Sequence, residues 1–222
     1  GDHTICSLYF DTPEYDLIRT SIEKPVYKEK LRLRSYGVPS AEDQVFIELK
    51  KKYKGVVYKR RVEVPLKEAA DYLLGGKRPS ADSHVLSEID WFQSMYHAVP
   101  KVLIACERCA WYSNEDSGLR VTFDRGIRFR ETALDLAFGD WGQALLEEDR
   151  VLMEIKIPGA MPLWLSRRLS ELKIYPVSFS KYGVCYKDYL FEERLTGRAE
   201  EVKAEVPRQD YHYEKQGGGL SA

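Results

Sequence analysis

Apolar and polar residues alternate along much of the first sixty positions, the period-two signature of β-strands. Thr4–Phe10 is an apolar, β-rich run. Asp11-Thr12-Pro13 follows with a helix N-cap signal and a proline suited to a first helical turn, so a short helix is expected over Glu14–Ser21. Val26–Tyr36 puts Lys28, Lys30, Arg32 and Arg34 on one face and Leu31 and Leu33 on the other. Gln44–Lys52 repeats this, with Glu48, Lys50 and Lys52 opposite Ile47 and Leu49. Lys54-Gly55 marks a hairpin turn, and Val56–Val64 returns with Lys59, Arg61 and Glu63 on one face. The pattern is a meander.

Two helical segments follow, Leu66–Leu74 and Ser83–His97, separated by Gly75-Gly76 and Pro79, with Pro100 ending the second. Val102–Tyr112 and Leu119–Asp124 predict a hairpin over Asn114–Gly118, and Asp124-Arg125-Gly126 predicts a turn into a further strand, Ile127–Arg130. Val151–Ile157 reads as a strand with Glu154 and Lys156 on one face, and Pro162–Leu172 and Ser180–Leu195 read as helices. From Gly197 the chain is polar and without period. One domain is expected over residues 1–196, with a polar, flexible tail over 197–222. No internal repeat is present.

Composition narrows the function. A chain of 222 residues suits one sizeable domain, and a net charge of −1 gives no global signal for nucleic acid or an anionic membrane. Any basic site is therefore local. Cys106 and Cys109 form a C-x-x-C with no second pair to complete a zinc site, and three positions along a strand separate opposite faces; buried strand cysteines are the expected reading. His3, His84, His97 and His212 are scattered, and no Ser-His-Asp or Cys-His constellation is found. Without a signal peptide or an apolar run long enough to span a bilayer, a cytoplasmic setting is expected.

The recurring basic faces need a reason. A sheet surface open to solvent mixes charge signs more evenly than these strands do, and the interleaved helices require an apolar sheet face to pack on. If helices cover the outside of a curled sheet, the Lys/Arg faces point inward. That predicts an α+β fold: an antiparallel β tunnel barrel of about eight strands with peripheral helices. Unpaired buried cations are costly, and a triphosphate or polyphosphate relieves that cost through charge-assisted hydrogen bonds. Magnesium or manganese is typically held by one or two carboxylates plus substrate phosphates. Glu154, flanked by hydrophobes in VLMEIKI, is the best metal-ligand candidate; Glu48, Glu63 and Asp124 are weaker ones, each better suited to ion pairing with a neighbouring Lys or Arg.

The ordered motifs SLYFDT (Ser7–Thr12), KLRLRSYG (Lys30–Gly37), VFIELKKK (Val45–Lys52), GVVYKRR (Gly55–Arg61), MEIKIPG and FSKYG resemble those of the VTC domain. This is the catalytic domain of the vacuolar transporter chaperone family and of bacterial polyphosphate polymerase domain proteins, within the triphosphate tunnel metalloenzymes related to CYTH proteins. The resemblance runs from about Thr4 to Leu190. It implies a basic tunnel and transfer of the γ-phosphate of ATP, or another nucleoside triphosphate, onto inorganic polyphosphate with Mn2+ or Mg2+. It further implies that Arg32, Arg34, Lys50, Lys59, Arg108, Arg120 and Lys181 line the tunnel, with Arg61 and Lys156 on the same faces. Among these Lys50, Lys59, Arg108 and Lys181 are the catalytic candidates, and Glu154 is the metal ligand.

Family members usually begin with a strand bearing Glu and Lys, ahead of a helix, upstream of the motif corresponding to SLYFDT. Here the sequence opens almost on that motif, and Arg208–Lys215 (RQDYHYEK) has the composition of such a strand. Three activities fit: a metal-dependent polyphosphate polymerase, a tunnel-type triphosphatase or polyphosphatase, and a non-catalytic polyphosphate-binding module, the last favoured if a first strand is lacking. A membrane-bound partner protein is compatible but not encoded. Nucleic acid is disfavoured, because the basic residues alternate with hydrophobes and not with surface aromatics.

Overall fold

The computed structural model describes residues 2–81, 83–114 and 118–191. In chain order the elements are β1 (Asp2–Asp11), α1 (Asp16–Ile22), β2 (Tyr27–Tyr36), β3 (Gln44–Tyr53), β4 (Val56–Pro65), α2 (Leu66–Gly75), α3 (His84–Tyr96), β5 (Val99–Tyr112), β6 (Arg120–Arg130), β7 (Gln143–Ala144), β8 (Leu152–Lys156), α4 (Leu163–Glu171) and α5 (Lys181–Cys185). A 3-10 turn spans Leu136–Phe138, and α5 widens into a π-helical turn over Tyr186–Leu190.

The strands form one antiparallel sheet in the order β4-β3-β2-β1-β5-β6, with β7 and β8 both on the far edge of β6. The expected α+β architecture of eight strands and peripheral helices is present. The meander β2–β3–β4 forms as predicted, and Lys54 and Gly55 (φ 46° and 87°) make the two-residue turn whose twist suits a hairpin. No described residue of β4 pairs with β8, so the ring of hydrogen bonds is not closed.

Each face of the sheet has its own core. On the outer face Cys6, Leu8 and Phe10, Leu31 and Leu33, Val45, Ile47 and Leu49, and Val62 and Val64 pack under Leu66, Ala69 and Tyr72 of α2 and Leu86, Ile89 and Phe92 of α3. The helices therefore cover the apolar face, as the alternation requires. On the inner face Ile5, Tyr9, Val102, Ile104 and Cys106 pack against Tyr182, Cys185, Tyr186 and Leu190. β1 is thus buried on both sides from Ile5 to Asp11, which explains its unbroken apolar run. Among the described residues the basic part of the lumen lies along β2–β4, along the ends of β5, β6 and β8, and at Lys181 of α5.

Two segments differ from the sequence pattern. Asp124-Arg125-Gly126 is no turn between strands: β6 is continuous, and an irregularity opposite Cys106 absorbs the surplus residues, with Gly126 at φ 50°. The expected helix from Ser180 begins at Lys181, with Ser180 Oγ accepting from the Gly183 amide at 3.3 Å; its proposed end at Leu195, and the tail from 197, lie outside the described residues. Cys106 is buried and Cys109 half-buried, both as free thiols.

Candidate functional site

The strand registers fix which side chains share the inner face. From β1 outward, Tyr9 pairs with Arg32, Arg32 with Glu48 and Glu48 with Arg61. One step along, Lys30 pairs with Lys50 and Lys50 with Lys59. On the other wall Arg108 pairs with Asp124, Thr122 with Glu154, and Arg120 with both Tyr112 and Lys156. Every basic residue proposed from the strand pattern therefore faces the same lumen.

Two buried carboxylates anchor it. Glu48, 2% exposed, accepts Arg32 Nε at 2.7 Å and Nη2 at 2.6 Å on Oε2, with Arg34 Nη1 at 3.8 Å and Lys59 Nζ on Oε1 at 2.5 Å. Burial pushes its pKa up, but Arg32, Arg34 and Lys59 more than reverse this and hold it at about 2. Asp124, 1% exposed, is bound in bidentate fashion by Arg108 at 2.6 and 2.7 Å and by Lys181 from α5. Here too the effect of burial is outweighed by Arg108 and Lys181, and the carboxyl is lowered. These acids are ion-pair anchors with their oxygens committed.

Glu154 differs. Its side chain is 49% exposed, and the nearest cation, Arg108 Nη2, is 3.8 Å away. It is the inward carboxylate of β8 with freedom to take a new ligand, whereas Glu48 is enclosed and Glu63 stands exposed at the edge. Among the described residues no three His, Cys, Asp or Glu side chains converge as a metal cage. The donor set suits a magnesium or manganese ion that draws its remaining ligands from substrate phosphates and water.

The cations outnumber these acids. Lys50, Arg61, Arg120 and Lys156 have no ion-pair partner within 4 Å among the described residues; Arg61 lies over the Phe46 ring and Arg120 over Tyr112. Burial lowers Lys156, with Arg120, Arg108 and Lys59 adding to the effect against Glu154.

Three further inner residues meet the site: Lys30, which the pattern put on the basic face without a site role, and Tyr9 and Ser7, which it did not single out. Lys30 Nζ donates to Ser180 Oγ at 3.1 Å, and burial, then Lys28, Lys50 and Arg32 against Tyr9, lower it to about 8. Tyr9 Oη accepts from Arg32 at 3.3 Å, and its ring stacks on Tyr182 at 4.9 Å. Burial would raise this phenol, yet Arg32, Arg34, Lys181 and Lys30 together bring it below its ordinary value. Ser7 Oγ accepts from Arg34 at 3.3 Å. Tyr9 and Ser7 sit within the apolar motif SLYFDT, and only the alternation of β1 marks them as inward.

An open eight-stranded antiparallel sheet curled around a cation-rich, carboxylate-anchored lumen is an anion-binding tunnel fold. The VTC domain profile matches residues 1–190, and the chain belongs to that family. No curated protein matches its sequence. Among solved structures it is similar to a candidate adenylate cyclase from Bacillus halodurans (TM-score 0.49, 14% identity, 81% of this chain and 79% of that one). It is also similar to a candidate adenylyl cyclase from Hippeastrum, described as having a dominant triphosphatase activity (TM-score 0.45, 17% identity, 83% and 81%). No helix among the described residues is long and apolar enough to cross a membrane.

Proposed function

We propose that the lumen binds the phosphate chain of a nucleoside triphosphate or of inorganic polyphosphate, and that the protein transfers the γ-phosphate of the nucleotide to a polyphosphate end. The observation that carries this reading is the surplus of inward cations: Glu48 and Asp124 are already saturated, while Lys50, Arg61, Arg120 and Lys156 have no acid within ion-pair distance among the described residues. A linear polyanion supplies the missing charge along the whole face.

Phosphoryl transfer asks chiefly for alignment and charge neutralisation. Arg32 and Arg34, fixed by Glu48, present rigid guanidinium groups to phosphate oxygens; Arg108 and Lys181, fixed by Asp124, do so from the opposite wall. Lys50 and Lys59 neutralise charge between them. Glu154 is placed to hold the divalent ion, which when bound offsets charge developing on the transferred phosphoryl oxygens.

The family membership favours the polymerase over hydrolysis of triphosphate or polyphosphate, in which water attacks in place of a phosphate end. Incubation with ATP and manganese, followed by gel analysis and a phosphate assay, separates them: long chains support polymerisation, free phosphate alone supports hydrolysis, and neither reduces the protein to a binding module.

A further inference from the structure

Along β2–β4, aromatic side chains face inward at one end of the lumen and not at the other. At the end formed by the C-terminus of β2 and the start of β3, the inward positions are Tyr36 and Phe46. Tyr36 is 55% exposed, and its ring meets Phe46 edge-on at 5.8 Å. The far side of Phe46 is covered by the Arg61 guanidinium, 4.8 Å from the centroid. Across the lumen Tyr112, 63% exposed, stands beside Arg120, 5.8 Å from its ring. At the opposite mouth the inward residues are Lys28, Lys52 and Val57.

We infer that the aromatic–arginine mouth receives the base of the nucleoside triphosphate and that the lysine mouth handles only phosphate, so the lumen has a fixed direction. This rests on the phosphate-binding reading above. Every nucleobase offers a π-face, and stacking on a tyrosine is tolerant of base identity. The guanidinium of Arg61 holds Phe46 through a cation–π contact, leaving Tyr36 as the open face. Arg34 lies one inward step from Tyr36 and is sensitive to it electrostatically, which places a phosphate contact beside the stacking surface. Four residues of strand separate Phe46 from Lys50, about 13 Å, a span that takes a ribose and an extended triphosphate. Lysine ammonium groups at the far end are point charges with no planar surface, suited to a chain that carries charge and no base.

The test is calorimetric titration of the intact chain with ATP and, separately, with inorganic tripolyphosphate. Tyr36→Ala weakens ATP binding about tenfold, the scale of one base–aromatic stack, and leaves tripolyphosphate unchanged; Tyr36→Phe restores ATP affinity. Tyr53→Ala, on the outer face near the lysine mouth, alters neither. Equal loss for both ligands, or no loss for either, overturns the inference. If the parent chain fails to bind tripolyphosphate at low salt, the phosphate-binding reading itself falls and takes the inference with it.

Discussion

The Tyr182 hydroxyl donates a 2.9 Å hydrogen bond to Oδ2 of Asp11, joining the end of β1 to α5. Asp11 is fully buried and accepts three further bonds, from the amides of Thr12, Leu17 and Ile18 at 2.8–3.0 Å. Burial raises its carboxyl, and the four donors only partly offset this. The residue next to Tyr182 is Lys181, which reaches Asp124, so Asp11 holds a tunnel lysine in place without touching the lumen. Asp11→Asn puts an amide donor among donors. It is expected to cost about 2 kcal/mol of stability and, by displacing Lys181, roughly tenfold or more in turnover. Turnover of the double variant with Lys181→Ala should match that of Lys181→Ala alone; additive losses would separate the two residues.

Glu48 makes the empty lumen acid-sensitive. Its folded-state pKa of about 2 lies below the ordinary 4.5, so its contribution is present above pH 4.5 and disappears as pH falls towards 2. That contribution is on the order of 3 kcal/mol. Asp11, raised by burial, has the opposite sign, so the comparison must be made against Glu48→Gln. The variant should be less stable at neutral pH and should lose the Glu48 component of acid unfolding, measured by urea denaturation between pH 2 and 7.

Arg32 and Arg34 look equivalent in the sequence but not in the fold. Arg32 makes the short contacts to Glu48, whereas Arg34 stands at 3.8 Å. Removing one partner of a buried pair costs about 3 kcal/mol or more, so Arg32→Ala should lose stability along with phosphate affinity. Arg34→Ala should lose chiefly affinity, by about 1.5–3 kcal/mol. Thermal denaturation alongside titration distinguishes the two.

Lys30 ties binding to alkaline pH. Its free-state pKa of about 8 means it is increasingly neutral above that pH, and a bound polyanion draws the proton back. Its desolvation cost to folding is full below pH 8 and fades as pH rises towards 10.5. Tripolyphosphate affinity should therefore fall above pH 8 with measurable proton uptake, and Lys30→Met should reduce that uptake.

The meander was legible because β2, β3 and β4 each carry a charged face and an apolar face. β6 was misread because Asp124-Arg125-Gly126 has turn chemistry that a bulge can absorb, and β7 is two residues long with no period to detect. The inward direction of the basic faces followed from the helices needing an apolar surface. The roles of the acids did not follow: that Glu48 and Asp124 are consumed by cations while Glu154 is half-open depends on cross-strand register and on α5. Asp11 showed its capping role in the motif, but its bond to Tyr182 spans the chain.

The inward cations define the account, and titration of the intact chain with inorganic tripolyphosphate at rising salt, without metal, tests it most directly. Tight binding at low ionic strength that weakens steeply as salt screens the lumen, and that falls on Arg34→Ala, is the expected result. No binding at low salt, or binding indifferent to salt and to Arg34, would contradict it.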